Sequence, residues 1–265
     1  MLDLLRARLR GGLRTLSFPA GAAPLPSRFR GRPAFNPGAC PDGCRDCRAR
    51  SPSPLLVEGP AGHAVLDVGA CLFSPDEAAA CPAGAVAYTG DYRMAATARA
   101  DLLTPDGHVA LARQLERGMR RVLGRSLRLR SVVAGSCNGC EAELVALGNV
   151  MFDLARYGIQ FVASPRHADG LVVTGAVNTN MTLALRKTYE AVPDPKIVIA
   201  VGACAVTGGP FRGSPEVAGG VGDLLPVDLW IPGCPPHPYT LLDGLLRMLG
   251  RLDPGGDTAR TEAAD

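Results

Sequence analysis

The chain has 265 residues, 47% of them apolar and 20% charged, which suits one or two globular domains with real cores. Its longest apolar run, Ile197 to Val206, falls well short of the ~18 residues of a membrane span, so no transmembrane segment is expected. The formal net charge is only +3, and no basic–aromatic alternation marks a nucleic-acid surface.

Leu2, Leu5, Leu9, Leu13 and Leu16 recur at three- and four-residue steps, with Arg6, Arg8, Arg10 and Arg14 between them. This spacing predicts an amphipathic helix over 1–18, weakened in its middle by Gly11 and Gly12. A basic amphipathic helix docks on a membrane surface or a partner, or packs on its own domain. Arginines interrupt the stretch and no small-residue cleavage site follows, so it does not read as a signal peptide. Residues 19–35 are rich in Pro, Gly and Arg and form an extended connector, completing an N-terminal segment of 1–35. A small cysteine-bearing module is expected over 36–95. Leu111, Leu115, Met119 and Val122 then stand at helical spacing, predicting a linker helix over 96–127.

From residue 128 the pattern becomes strand–loop–helix alternation, giving a domain over 128–252. Strands are expected at Leu127–Val133, Ile159–Val162, Leu171–Thr174, Ile197–Val201 and Asp228–Ile231. Helices are expected at Glu141–Tyr157, Met181–Val192 and Tyr239–Leu249. Such alternation implies α/β architecture with a parallel sheet covered by helices on both faces. Ligands bind such sheets at the carboxyl ends of the strands. The polar tail over 253–265 reads as disordered.

Nine cysteines, odd in number and unevenly spaced, argue against a disulfide framework and for metal binding in a reducing cytosol. Four of them, Cys137, Cys140, Cys204 and Cys234, each follow a predicted strand, so they should converge at one sheet edge. One loop supplies two thiolates and two distant loops supply one each, a layout that suits one 4Fe–4S cluster. Gly139, Gly202 and Gly233 lie in these loops, where glycine lets backbone approach a bulky cofactor. A structural zinc site is the alternative, although zinc ribbons usually supply two Cys-x2-Cys pairs on a small β scaffold.

Four stretches carry a family resemblance: Gly135-Ser-Cys-Asn-Gly-Cys-Glu-Ala-Glu143, Gly175-Ala-Val-Asn178, Gly202-Ala-Cys-Ala-Val-Thr-Gly-Gly-Pro-Phe211 and Ile231-Pro-Gly-Cys-Pro-Pro-His-Pro238. Together they resemble the small electron-transfer subunit of the group 4, complex I-related nickel–iron hydrogenases, of formate hydrogenlyase type. The wider family includes the corresponding subunit of NADH–quinone oxidoreductase. There the first two ligands are adjacent cysteines, so the Cys137-x2-Cys140 spacing favours the hydrogenase branch. The resemblance implies a flavodoxin-like domain in which Cys137, Cys140, Cys204 and Cys234 hold the cluster proximal to a large-subunit active site.

Arg28-Phe-Arg-Gly-Arg-Pro-Ala-Phe-Asn-Pro37, followed by cysteines, resembles the start of the ferredoxin-like subunit of the same complexes, which suggests a fusion of two subunits. A two-cluster ferredoxin run is Cys-x2-Cys-x2-Cys-x3-Cys-Pro, its fourth cysteine serving the other cluster. Here the first run is Cys40-x3-Cys44-x2-Cys47-x3-Ser51-Pro52 and the second is Cys71-x2-Ser74-x2-Glu77-x3-Cys81-Pro82. Exchanging fourth ligands gives one full set, Cys40, Cys44, Cys47 and Cys81. The other set, Cys71, Ser74, Glu77 and Ser51, keeps one thiolate. One retained 4Fe–4S cluster and one vestigial site are therefore expected, with Cys71 a buried free thiol. The first spacing is one residue longer than usual. A structural zinc or an empty module is the alternative.

Glu141 and Glu143 follow the first ligand pair, either as proton-handling groups or as acids at a helix N-terminus. His237 either bonds the cluster or lies on the surface. His63, His108 and His167 have no ligand spacing, and Gly208–Gly222 has no phosphate-loop pattern and reads as a loop over the cluster or against a partner. No catalytic triad or Cys/His pair is present. The expectation is a non-catalytic electron-transfer subunit with two 4Fe–4S clusters. It would join a redox partner to a nickel–iron large subunit, docked by its N-terminal segment on membrane-arm subunits at the cytoplasmic side of the inner membrane. A quinone-reducing complex I-like subunit and a structural zinc scaffold are the competing readings.

Overall fold

The structure is a computed structural model that describes residues 2–12, 14–21, 23–40, 50–59 and 64–252. The tail over 253–265, Cys44, Cys47 and His63 thus lie outside the described residues. Helix α1 (Leu2–Gly11) buries no residue. It stops well before residue 18, because Gly11 and Gly12 break the helical run and Gly12 takes φ +61°. Beyond it the chain is not a free connector. Phe18 is buried against Tyr92 and Tyr239, and its carbonyl accepts the Tyr157 hydroxyl at 2.6 Å. An aromatic ring in that position removes apolar area from water, so the segment clings to the C-terminal domain.

Two small antiparallel sheets build the N-terminal module. Strand β1 (Pro33–Phe35) pairs with β4 (Val86–Tyr88), while β2 (Leu56–Glu58), β3 (Ala64–Asp67) and β5 (Leu103–Thr104) form the second sheet. Between them lies α2 (Pro75–Ala79), started by Pro75 and capped by the Ser74 hydroxyl, which accepts the Asp76 N–H at 3.2 Å. Phe35, Leu55, Leu66, Val68, Val86 and Met94 form its core.

The expected linker helix over 96–127 is mostly absent. Only α3 (Arg117–Leu123) is α-helical. Pro105 and Gly107 interrupt the preceding stretch, and the backbone finds partners elsewhere: Ala112 N–H bonds the Ala95 carbonyl at 2.7 Å, and Leu115 N–H bonds that of Met248 at 2.8 Å. Tertiary hydrogen bonds override the helical spacing, and Val122 ends up exposed while Leu123 is buried.

The C-terminal domain is a five-stranded sheet, parallel at every pairing. Its strands are β6 (Leu127–Val133), β7 (Ile159–Phe161), β8 (Gly170–Thr174), β9 (Ile197–Val201) and β10 (Leu229–Ile231), in the order β10-β9-β8-β6-β7. That is the flavodoxin-like order, with the switch point between β6 and β8. Ile197, Ile199 and Val201 point into one core with α4 (Gly139–Ala146) and α7 (Pro238–Met248). Val198 and Ala200 point into the other with α5 (Thr179–Ala191) and α6 (Ala203–Thr207). Both faces are covered, so the strands read as continuous apolar runs. Ala96 and Trp230 exchange backbone hydrogen bonds, at 2.9 and 2.8 Å, which covers the β10 edge.

The helix expected over Glu141–Tyr157 is divided. Helix α4 ends at Ala146, the Asn149 side chain accepts the N–H groups of Met151 (2.9 Å) and Phe152 (3.0 Å), and Leu154–Tyr157 forms a separate short turn. A side chain that competes for backbone donors favours a turn over helix. Among the described residues no helix is long and apolar enough to cross a membrane.

Candidate metal centre

Because β6, β9 and β10 run parallel, their carboxyl ends share one edge of the sheet. Cys137 and Cys140 follow β6, Cys204 opens α6 after β9, and Cys234 follows β10. All four line one cavity of about 80 Å³, together with Ser136, Gly139, Ala203, Gly233 and Pro235. The expected convergence is therefore seen, at the topological switch point of the sheet.

Local geometry explains how the loops reach this cavity. Asn138 adopts φ +70°, a left-handed conformation that Asn tolerates better than most residues, and turns the chain into α4. The Ser136 hydroxyl accepts the Asn138 N–H at 3.1 Å and donates to the Glu141 carboxylate at 2.7 Å. Thr174, at the end of β8, donates its hydroxyl to the other Glu141 oxygen. Glu141 thus ties the first ligand loop to the neighbouring strand from the first turn of a helix, where a negative charge is favoured. Glu143 is half-buried, and burial raises its pKa above the ordinary carboxylate value.

The glycines divide by role. At Gly202, with φ +89° and ψ 155°, an added Cβ would lie 2.5 Å from the Cys140 sulfur, so no other residue allows the second ligand loop to close on the first. Gly209, which sequence reasoning missed, stands behind Cys204, and its Cβ would lie 2.7 Å from that sulfur. The only sequence signal for it was its place in the glycine-rich stretch after Cys204. At Gly139 a Cβ would meet the Cys137 sulfur at an ordinary 3.6 Å, so the backbone there does not demand glycine.

Electrostatics mark the four thiols as one group. Burial, then the charges of Glu141 and the other three cysteines, push the Cys140 thiol up to about 12. Burial, then Cys234 and Cys137, push Cys204 up to about 11. The four groups would become thiolates only on binding a positive centre, which iron or zinc supplies. The donor set therefore fits a metal cofactor. Cys140 is buried and Cys204 half-buried, whereas Cys137 and Cys234 are exposed, so one side of the centre opens on the surface. The thiols ring a cavity; among the described residues no group of three or more His, Cys, Asp or Glu is placed to hold a single metal ion.

His237 stands at the N-terminus of α7 and shares a cavity with Cys234. It is half-buried, stacks on Tyr239 at 5.3 Å and packs edge-on to Phe29, while its Nδ1 accepts the Tyr239 N–H at 3.2 Å and caps α7. Burial lowers its pKa, which keeps Nδ1 available as an acceptor. Within Gly208–Gly222 the chain bonds back to the domain: Ala218 N–H reaches the Val177 carbonyl at 2.7 Å.

In the N-terminal module Cys81 is buried in the core and Cys40 packs against it; the other two residues of that expected set, Cys44 and Cys47, are not among the described residues. Three residues of the vestigial set meet, as Cys71 and the backbone of Ser74 bond the side chain of Glu77. Ser51 bonds only to Ser53 among the described residues, its hydroxyl accepting the Ser53 N–H at 3.4 Å.

The chain is similar to known proteins over its C-terminal half. Residues 137–248 match the family described as NADH ubiquinone oxidoreductase, 20 Kd subunit. A "probable membrane-bound hydrogenase subunit" of Pyrococcus furiosus is 43% identical over 132 residues, covering 50% of this chain and 79% of the relative. Formate hydrogenlyase subunit 7 of Escherichia coli is 41% identical over 151 residues, 57% of this chain and 58% of the relative. An NADH-quinone oxidoreductase subunit of Heliobacterium modesticaldum is 45% identical over 114 residues, 43% of this chain and 65% of the relative. With its four cysteines at the edge of a flavodoxin-like sheet, the chain belongs to the NADH ubiquinone oxidoreductase 20 kDa subunit family.

Proposed function

We propose that this chain is the electron-transfer subunit of an oxidoreductase complex, carrying a 4Fe–4S cluster on Cys137, Cys140, Cys204 and Cys234. The observation that carries the reading is the gathering of four thiols, from three separate loops, on one cavity at the sheet edge. When bound, a 4Fe–4S cluster accepts and donates one electron at a time, and its surroundings set the potential. The chain's part is to bind the cluster through the thiolates, to close backbone around it at Gly202 and Gly209, and to fix the first loop through Glu141. Cys40, Cys44, Cys47 and Cys81 hold a second 4Fe–4S cluster in the N-terminal module.

The partner is a large subunit of nickel–iron hydrogenase type, seated over the exposed Cys137 and Cys234, with formate-linked hydrogen evolution or oxidation as the overall reaction. The Cys137-x2-Cys140 spacing supports this over a quinone acceptor, and the relatives' names include both hydrogenase and NADH-quinone oxidoreductase subunits. Helix α1, with exposed leucines among arginines, docks on membrane-arm subunits at the cytoplasmic face of the inner membrane.

Anaerobic purification tests the reading. The sample should be brown, with iron and sulfide at about eight each for two clusters. A colourless, zinc-containing protein would sink it. Co-purification with a large subunit that carries two Cys-x2-Cys pairs would establish hydrogenase chemistry; a quinone-reducing partner would select the complex I-like alternative.

A further inference from the structure

Helix α6 carries Cys204 on one side and is met on the other by the N-terminal module. Residues two apart on an α-helix lie about 200° around its axis. Cys204 accordingly lines the cavity, while Val206 is buried in the core on the far side. There α6 packs against a tight turn of the module, Val68–Ala70, whose three residues are all buried.

Gly69 is the point of contact. Its φ is not positive, so a side chain would cost nothing in backbone conformation there. Space is what demands glycine. An added Cβ would lie 2.8 Å from Val206 Cγ1, 3.1 Å from Leu102 Cδ1 and 3.2 Å from an Arg99 guanidinium nitrogen. Val206 is β-branched and stiff at χ1, so it yields less readily than a long side chain and passes the strain to α6.

The turn is tied down at both ends. Before it, Asp67 is 2% exposed, its N–H bonds the Leu55 carbonyl at 2.7 Å, and its carboxylate accepts from Arg99 at 2.6 Å. After it, the Cys71 N–H bonds the Val68 carbonyl at 3.4 Å. The buried Glu77 carboxylate accepts the Leu72 N–H at 2.8 Å and the Cys71 thiol at 3.3 Å. Buried and charge-assisted hydrogen bonds on both sides make the turn a firm surface for α6.

We propose that the N-terminal module positions Cys204. Gly69 sets where Val206 rests, and Val206 sets where α6 lies. Helix α6 in turn sets the approach of Cys204 to the cluster it shares with Cys137, Cys140 and Cys234. Gly69 and Val206 are positioning residues, and neither lines the cavity. Groups behind the ligands orient them and tune the metal. The module is then part of the scaffold of the C-terminal centre, in addition to holding the cluster proposed for it. The inference rests on the C-terminal cluster proposed above.

Paramagnetic resonance with iron counting, on the full chain with its clusters assembled, tests it. Gly69→Ala should shift the g values of the reduced C-terminal cluster, because they follow the geometry of its ligands. Adding Val206→Ala to Gly69→Ala frees the space that the new Cβ takes, and should restore the native g values. A native C-terminal signal in Gly69→Ala would overturn the inference. So would a shifted or lost signal that Val206→Ala leaves unrepaired, including a variant that does not fold because Gly69 serves the module alone. An iron-free native chain, by contrast, removes the C-terminal cluster reading itself, so the two failures are told apart.

Discussion

In the C-terminal domain four cysteines line a cavity, and as metal ligands they would be thiolates whose charge the bound centre offsets. In the N-terminal module the corresponding second site is closed by the chain itself, with Glu77 satisfied by Ser53, Cys71, Leu72, Ser74 and Tyr88. The contrast shows two ways to settle the cost of buried charge: a metal centre shared by several thiolates, or a single carboxylate surrounded by donors. The first holds a redox cofactor. The second makes a module that keeps its shape without one.

The largest expected effect follows from removing a thiol on the cofactor side. Cys204→Ala should lower total iron from about eight to about four and abolish the C-terminal cluster's resonance signal, while the N-terminal signal persists. Unchanged iron would break the comparison at its stronger end.

Gly202→Ala tests the approach of backbone to Cys140. The position lies in a region almost reserved for glycine, so the strain costs about 1–3 kcal/mol in chemical denaturation, and the new Cβ, 2.5 Å from the Cys140 sulfur, should also reduce C-terminal cluster iron. Normal iron and normal stability together would show that the loop relaxes freely.

Cys71→Ala probes the other side. It should keep all its iron, and lose about 0.5–1.5 kcal/mol through the missing hydrogen bond to Glu77. Loss of a whole cluster would mean that Cys71 is a ligand and that the two sites are alike after all.

The smallest effect on stability is expected in α1, which belongs to neither site. Leu5 and Leu9 are 63% and 76% exposed, so Leu5→Asp with Leu9→Asp should change unfolding free energy by no more than about 0.5 kcal/mol each. The same pair should shift the protein from the membrane fraction to the supernatant. Undiminished membrane association would remove α1 as the docking element.

Much of the C-terminal half is legible from residue order. Leu127–Val133 and Ile197–Val201 are strands with the expected bounds, because a buried parallel strand needs an apolar run that few other structures tolerate. The helices around 179–191 and 238–248 differ from expectation by one or two residues at each end. Placing each cysteine after a strand is enough to bring Cys137, Cys140, Cys204 and Cys234 to one edge. The linker misleads because helical spacing at Leu111, Leu115 and Met119 says nothing of the distant carbonyls of Ala95 and Met248 that claim its N–H groups. Gly209 escapes sequence reading because nothing local distinguishes a glycine behind a sulfur from one in a loose loop.

By itself, the sequence determined the inventory of donors and the strand pattern. It supplies one complete cysteine set on an alternating α/β frame, and a second run in which Ser74 and Glu77 stand where cysteines would. Both are local properties of residue type and spacing. Only the tertiary structure decided that Phe18 enters the C-terminal core and that Ser53 and Tyr88, 24 and 11 residues from Glu77, complete the ring around its carboxylate. A buried anion takes whichever donors the packed chain brings within about 3 Å, and that distance is set by folding.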